Sequence, residues 1–174
     1  MLIESISGEY NRYKSLVELA LVQVKDSDLN IVVGDDGNSI SILMNHLIGN
    51  LKSRFTNFLT EDGEKEWRKR DSEFEENNLT REQLLNGWME SFLILFDQLG
   101  KLKEEDLGRE ISIRGQKLFV IEALHRSLAH LSYHVGQIVL LARMHVGKEW
   151  KSLSIPKGKS NQYNLSPTKE KRPN

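Results

Sequence analysis

The amino-acid sequence predicts an all-α protein folded as a four-helix bundle. Four segments repeat apolar residues at intervals of three or four positions, which is the spacing of one buried helix face. Segments rich in Asp, Asn, Gly or charged residues separate them, and such segments interrupt helices. The length of 174 residues corresponds to about one domain with a core of its own.

The first helix is predicted from about Leu2 to Val24, and the second from Ile40 to about Leu59. Between them, the stretch KDSDLNIVVGDDGNS stops the first helix, and the Asn-Ser pair at its end can cap the free backbone N–H groups of the second. His46 lies on the border of the second helix's apolar stripe. The stripes consist of Ile3, Ile6, Tyr10, Tyr13, Val17, Ala20, Leu21 and Val24 in the first helix, and Ile40, Leu43, Leu47, Leu51, Phe55 and Phe58 in the second.

A long charged connection, TEDGEKEWRKRDSEFEENN, follows the second helix. Its charges alternate in sign and it contains few aliphatic residues, so we expect it to be exposed, with Trp67 and Phe74 as anchors. Loops of this length are uncommon in compact domains and often carry function.

The third and fourth helices are predicted from Thr80 to Gly100 and from about Lys117 to Met144. Thr80 and Gln83 have the spacing of a capping box, in which side chain and backbone satisfy each other's free groups. The break between these helices contains REISIR, whose alternation is typical of a two-residue ladder or a small hairpin arm.

The chain is expected to divide into a bundle, residues 1–147, and an irregular basic C-terminal segment, residues 148–174, that packs in part on the bundle. The second range contains three prolines and seven Lys or Arg against two Glu. A formal net charge of −1 for the whole chain gives no broad field to attract nucleic acid. We therefore expect no nucleic-acid partner.

Composition excludes several kinds of site. The chain has no cysteine, which rules out disulfides, thiolate zinc sites, iron–sulfur clusters and a cysteine nucleophile on this chain. Neither a signal-peptide pattern at Met1 nor a run of about 20 apolar residues is present, so we expect a cytoplasmic protein without a membrane partner.

Three histidines lie in the segment HRSLAHLSYHVGQI of the fourth helix. His130 and His134 are four residues apart, about 40° around the helix axis and about 6 Å along it, so both can face one ion. His125 points roughly 140° away from His130, and His145 lies roughly 16 Å beyond His134 along the axis. Only the pair at 130 and 134 can work together on this helix.

A metal site in a bundle needs a third ligand from a facing helix, and His46 is the only histidine left. Small and polar residues on the same face of the fourth helix suggest a cavity there. They are Ala123, Ser127, His130, His134, Gln137 and Leu141. The spacing alone is equally compatible with ordinary hydrogen-bonded core histidines, which are more frequent than ligands. A serine hydrolase is disfavoured, since neither Ser127 nor Ser132 has the glycines of a nucleophile elbow.

The segments NHLIGNL, AHLSYHVGQIVLLAR and WKSLSIPKGKS, at their positions in this helical pattern, resemble those of the DinB/YfiT-like superfamily, within a branch of uncharacterised bacterial proteins. The resemblance covers nearly the whole chain. It implies an up-down-down-up four-helix bundle, commonly a homodimer, with a divalent metal ion bound by three histidines. Transferred to this sequence, these ligands are His46, His130 and His134. Imidazoles suit zinc, nickel, copper and iron alike, and zinc or nickel is the expected ion.

The resemblance also implies an activity, because members of the superfamily include metal-dependent transferases that use low-molecular-weight thiols. A thiol bound to the metal would be activated for S-transfer to an electrophile, and the partners would be a small-molecule thiol and an electrophile. Two alternatives stay open: a non-catalytic dimeric stress or structural protein with a vestigial or merely metal-binding site, and a metal-dependent hydrolase. A hydrolase needs a carboxylate base, for which Glu90 is a candidate only by its place on the third helix. No catalytic residue is assigned.

Secondary roles are predicted for several neighbours of the histidines. Gln137, Tyr133 and Lys157 are candidates for contact with a ligand or with the metal-bound groups, although Gln137 is more simply a packing or backbone-bonding residue. Gly136 is expected to permit close helix approach. Trp88 and Trp150 can wall a pocket or belong to the core, and the core is the commoner place for such residues.

Overall fold

The computed structural model describes residues 1–76 and 78–168, and the described chain is mostly helical with one small sheet. Four long helices alternate with irregular connections, and a two-stranded hairpin precedes the fourth. The elements are α1 (Leu2–Leu21), α2 (Ile40–Phe55), α3 (Arg81–Lys101), β1 (Glu110–Ile113), β2 (Gln116–Phe119), α4 (Val120–Val146) and α5 (Ser160–Asn164), with 3₁₀ turns at Asp26–Asp28, Asp71–Phe74, Glu104–Gly108 and Gly147–Glu149.

The predicted N-terminal caps of two helices are confirmed. The Ser39 hydroxyl accepts a hydrogen bond from the Ile42 amide at the start of α2, with an O···N distance of 3.1 Å. At the start of α3, the Thr80 hydroxyl accepts from the Gln83 amide, and the Gln83 side chain accepts from the Thr80 amide. These bonds satisfy N–H groups that have no partner within the helix, so both helices begin where the sequence predicts.

Three predicted helix ends are wrong by a few residues. The first helix ends at Leu21 instead of Val24. The second ends at Phe55 instead of Leu59, because Thr56 is extended and Asn57 is left-handed with φ of 50°, although Phe58 beyond them remains buried. The fourth begins at Val120 instead of Lys117, because residues 117–119 pair with β1.

The REISIR segment forms one arm of an antiparallel hairpin, in which β1 pairs with β2. Arg114 and Gly115, both at positive φ, make the two-residue turn. The Asp62 carboxylate accepts hydrogen bonds from the Ser112 hydroxyl and from both amides of this turn, at 2.7 to 2.9 Å. Burial opposes ionisation of Asp62, but these bonds and one from the Glu64 amide lower its pKa below the ordinary value. The hairpin is thereby fastened to the connection between α2 and α3.

The four long helices surround one continuous apolar core. The packing pairs are α1 with α4, α4 with α2, α2 with α3, and α3 with α1. Inside this arrangement the Tyr10 hydroxyl of α1 donates to the Leu124 carbonyl of α4 over 3.2 Å. Because α2 packs against α4, the two helices that carry the predicted ligands are neighbours.

Within the described residues, none of the helices combines the length and the apolar character that crossing a membrane requires.

Candidate metal centre

Three imidazoles from α2 and α4 converge at one place. His46, His130 and His134 each offer a ring nitrogen, and these three atoms lie within 4.8 Å of one another. The Nε2 atoms of His46 and His130 are 3.1 Å apart. The ring of His46 is also in edge contact with that of His134, with ring centres 4.9 Å apart. Residues that are 84 positions apart in the sequence are therefore side by side.

The spacing of the first two nitrogens is close to that of a zinc site. Two nitrogens at 2.0–2.1 Å from one ion, at a tetrahedral angle, lie about 3.3 Å apart. The His46–His130 separation is near this value, whereas separations that reach as far as 4.8 Å would have to shorten for three-fold coordination. The donor set consists of imidazoles alone, which suits zinc, nickel, copper and iron.

The other two histidines stand apart from this cluster, as the helical geometry predicts. His125 is exposed on α4. His145, near the end of the same helix, is half-buried and its Nε2 has no hydrogen-bond partner among the residues that the structure describes.

A buried ion-pair network contacts the His46 ring at Nδ1 and fixes its orientation. The Glu73 carboxylate accepts from His46 Nδ1 at 2.9 Å and receives two parallel hydrogen bonds of 2.8 Å from the Arg68 guanidinium. Both Arg68 and Glu73 are buried. With Nδ1 engaged, Nε2 is the nitrogen of His46 that faces the other two rings. A carboxylate that orients a ligand imidazole in this way is a common partner of metal-binding histidines.

The prediction of an exposed connection is wrong in this part of the chain. Lys65, Arg68 and Glu73 are buried, because the connection folds over α2 and its charges neutralise one another there. Of the two predicted anchors, Phe74 packs against the His46 ring in a tilted arrangement with ring centres 4.5 Å apart. Trp67 is 56 % exposed and does not anchor the connection.

A glycine of α2 makes room for the Glu73 carboxylate. A Cβ atom built on Gly49 would lie 2.2 Å from Glu73 Oε1, far inside any allowed contact. The glycine of the NHLIGNL segment therefore has a structural role, because the absence of a side chain lets the connection approach the helix.

Burial and neighbouring charge set the ionisation of the cluster. Burial, with repulsion from His134 and His46, lowers the pKa of His130 to about 4. Burial also lowers the pKa of His134, against the opposite effect of its hydrogen bond to Gln137. Burial would raise the pKa of Glu73, but the hydrogen bonds from Arg68 and His46 outweigh it and the pKa is lowered. At neutral pH the two α4 imidazoles are thus uncharged, the form that binds metal ions.

The predicted secondary residues have different surroundings. His134 Nδ1 donates to the Gln137 side-chain oxygen over 2.9 Å, so Gln137 orients a candidate ligand. The Tyr133 ring, 64 % exposed, lies edge-on to His134 with centres 5.0 Å apart. Lys157 is exposed in the segment before α5 and is not among the residues of the cluster.

The surroundings of Gly136 and of the two tryptophans also test the sequence predictions. The proposed role of Gly136 in close helix approach is wrong, because a Cβ atom there would meet nothing within 4 Å. Trp88 is fully buried in the core and packs on Phe92, and Trp150 is partly buried against the same core.

A cavity of about 170 Å³ adjoins the cluster, and His46 and His130 form part of its wall. Ala123 and Ser127, on the small and polar face of α4, also line it, as the sequence suggests. Five arginines complete most of the remaining wall: Arg54, Arg68, Arg70, Arg114 and Arg126. We call this space the arginine cavity.

Arg54 is the most deeply buried of the arginines without an ion pair. Its side chain comes from α2, only 9 % of the residue is exposed, and Nη1 has no hydrogen-bond partner in the described part of the chain. Burial, with repulsion from Arg68, Arg114 and Arg126, lowers the pKa of Arg54 to about 10, although Glu64 acts in the opposite direction. The cavity wall is therefore strongly cationic.

Sequence reasoning missed Glu73, Arg68 and the arginine cavity. The charged residues lie in a connection whose alternating signs resemble a solvated loop, and no local pattern indicates which charges become buried. The one available signal was Gly49 inside an otherwise good helix, since an isolated glycine there often marks a close approach.

Comparison with curated proteins and with solved structures gives no match. A family described as "Protein of unknown function (DUF1572)" matches residues 1–159. This family lies in the DinB/YfiT-like superfamily. Because the match spans α1 to α4 and the hairpin, the chain belongs to the DUF1572 family.

Proposed function

We propose that the protein binds one divalent metal ion through His46, His130 and His134 and is a metal-dependent transferase for a small thiol. The observation that carries the metal proposal is the convergence of three imidazole nitrogens at the edge of a cavity. Zinc or nickel is the ion that we expect. The thiol part of the proposal rests on the superfamily resemblance.

The chain's own residues have distinct tasks in this proposal. His46, His130 and His134 would hold a divalent ion through imidazole nitrogens, which carry no negative charge, so an anionic ligand such as a thiolate would be favoured beside them. Glu73 orients His46 and Gln137 orients His134 through their Nδ1 atoms. A divalent ion bound at this site would lower the pKa of a thiol. In the transfer, the thiol proton goes to solvent, sulfur forms a bond to carbon, and the leaving group departs with its electron pair.

Metal content tests the first part of the proposal. Protein purified without a metal-affinity column is analysed for metals, as wild type and as His130→Ala. We expect one equivalent in the wild type and its loss in the variant. The matched control is His125→Ala, an exposed histidine of the same helix outside the cluster, which should retain the ion. Equal metal content in all three proteins would refute the site.

Turnover tests the second part. Metal-loaded and metal-free protein are incubated with a small thiol and a chloronitrobenzene, and thioether formation is followed by absorbance. We expect thioether formation with the metal-loaded protein and not with the metal-free protein. A metal-loaded protein without any rate above the metal-free control would favour the non-catalytic alternative.

No observation favours the hydrolase. Glu90, the sequence's candidate base, is 63 % exposed at its side chain and pairs with Lys52 at 2.6 Å. It does not line the arginine cavity. Glu73 is close to the histidines, but Arg68 and His46 occupy both of its oxygens.

The finer architecture belongs to the same proposal. We propose an up-down-down-up order of the four long helices, a homodimer, and a cytoplasmic location. Residues 1–147 would form the bundle and residues 148–174 a basic segment docked in part on it. Two hydrogen bonds between the Gln23 side chain and the Lys151 backbone, of 2.7 and 3.1 Å, support docking at its start, while residues 169–174 lie outside the described chain. Light scattering of the purified protein tests the dimer.

A further inference from the structure

The arginine cavity has more positive charge than its own carboxylates neutralise. No carboxylate of the described residues lines it, and the carboxylates that bond to its lining residues already have partners. Glu73 is held by Arg68 and His46, Glu64 by Arg114, and Asp62 by the Ser112 hydroxyl and the amides of the hairpin turn. Among the residues that the structure describes, the side chains of three further lining arginines make no ion pair. These are Arg54, Arg70 and Arg126.

Among these three arginines, the burial of Arg54 without an ion pair destabilises the fold most. Arg70 and Arg126 are exposed and keep contact with water, and Arg70 also lies over the Phe74 ring. Arg54 is nine-tenths buried and its Nη1 has no hydrogen-bond partner among the described residues. Glu64 attracts it but is itself paired with Arg114, so the hydration that Arg54 loses on burial is replaced only in part. Its position is held by a close approach, because a Cβ atom on Gly63 would lie 2.6 Å from Arg54 Nη1. The described chain thus makes room for this side chain without giving it an ion pair of its own.

We propose that the arginine cavity binds the carboxylate or phosphate group of a small anionic substrate, beside the three histidines. Guanidinium groups bind these planar or multi-oxygen anions through paired hydrogen bonds. The cavity of about 170 Å³ is smaller than the pockets that hold drug-sized ligands, so it suits a small molecule.

The cavity also fixes how such a substrate lies. Four segments supply its arginines: α2, the connection to α3, the hairpin turn and α4. His46 and His130 line the same space. An anionic group among the arginines therefore places the remainder of the molecule next to the histidines. The inference deepens the proposed function by naming the charge of its substrate, but anion binding itself needs no metal.

Binding of simple anions tests the proposal. Isothermal titration calorimetry of the full chain, at constant ionic strength, uses succinate, inorganic phosphate and uncharged succinamide. We expect succinate or phosphate to bind and succinamide not to bind. The anion that binds more tightly identifies the anionic group of the substrate as a carboxylate or a phosphate. Failure of both anions to bind would overturn the proposal, as would equal binding of succinamide.

Variants tie the binding to the cavity. Arg54→Met should weaken anion binding about tenfold or more, since a charge-assisted hydrogen bond is lost. Arg143→Met, an exposed arginine of α4 away from the cavity, is the control and should bind like the wild type. Equal weakening in both variants would mean a general charge effect and would overturn the proposal. If Arg54→Met does not fold, Arg126→Met makes the same comparison at an exposed lining position.

One further variant separates this inference from the metal proposal. His134 is a candidate ligand but does not line the arginine cavity. His134→Ala should therefore lose metal and keep anion affinity within about twofold of the wild type. Wild-type protein that binds metal but no anion would overturn this inference alone, and protein that binds anion but no metal would overturn the proposed function alone.

Discussion

The inner faces of α3 and α4 have the same helical spacing but consist of different types of residue. Along α3 the buried positions are mainly large and apolar, with Trp88 and Phe92 fully enclosed. Along the first half of α4, Ala123, Ser127 and His130 face a cavity instead. Periodicity determines which residues turn inward, but only their chemistry distinguishes a packed core from a site.

The two regions also differ in how burial affects stability. Apolar burial around Trp88 stabilises the fold directly. Burial of Arg68 and Glu73 requires that two charges leave water, and their mutual bonds repay this only in part. Costly buried charges beside a histidine cluster are typical of functional sites. Four predictions sharpen this contrast.

The largest effect is expected in the core. Trp88→Ala should lower the free energy of unfolding by about 3–5 kcal/mol, because the side chain is fully buried and leaves a cavity. Chemical denaturation measures it. Met89→Ala, at the next position and 50 % exposed, is the control and should change stability by no more than about 0.5 kcal/mol. Similar losses in both variants would show that α3 packs differently.

The next effect concerns the buried ion pair. Glu73→Ala should cost about 3 kcal/mol of unfolding free energy, because it leaves Arg68 buried without its partner. Metal affinity, measured by competition with a chelator, should also fall about 10- to 100-fold as His46 loses its orienting carboxylate.

A double variant separates these two losses. Arg68→Met with Glu73→Leu replaces the pair by apolar groups, so most of the stability should return. Metal affinity should stay low because the partner of His46 Nδ1 is still absent. Recovery of both properties together would contradict a positioning role for Glu73.

A smaller effect is expected from two helical glycines. Gly49→Ala should lower stability by about 1–3 kcal/mol and weaken metal binding, because its Cβ would collide with the Glu73 carboxylate. Gly136→Ala, which has open space on α4, should instead raise stability by about 0.5–1 kcal/mol. Thermal unfolding of the two variants checks the opposite signs, and a stabilised Gly49→Ala would be the contrary result.

The smallest effect is a pH dependence of stability in metal-free protein. The pKa of His130 is lowered to about 4 in the fold, so between its ordinary pKa of 6.5 and that value the unfolded chain binds more protons. The free energy of unfolding should therefore fall as pH drops from about 6.5 towards 4. His134 acts in the same direction. Both rings are partly exposed, so water moderates the effect.

Denaturation curves across this pH range, with a chelator present, measure the dependence. His130→Ala should flatten it, whereas His125→Ala, outside the cluster, should leave it as in the wild type. An unchanged slope in His130→Ala would mean that this ring does not carry the effect.

Local sequence determined the helices, their capped starts and their inward faces. Ser39 and Thr80 cap as predicted because a cap involves only residues within one turn. The orientation of His130 relative to His134 was likewise readable, since four positions on a helix fix their geometry. The helix ends at residues 21 and 55, and the start at residue 120, were less predictable, because turns and strand pairing compete there with helix propensity.

Tertiary structure alone decided what surrounds those histidines. His46 reaches His130 only because α2 packs on α4, and Glu73 reaches His46 only because the charged connection folds back over Gly49. The arginine cavity draws its wall from four separate segments. Local backbone geometry sets the spacing of side chains within a helix. The partner of a buried charge depends instead on which distant segments pack together and exclude water. No local pattern in a single sequence encodes this packing.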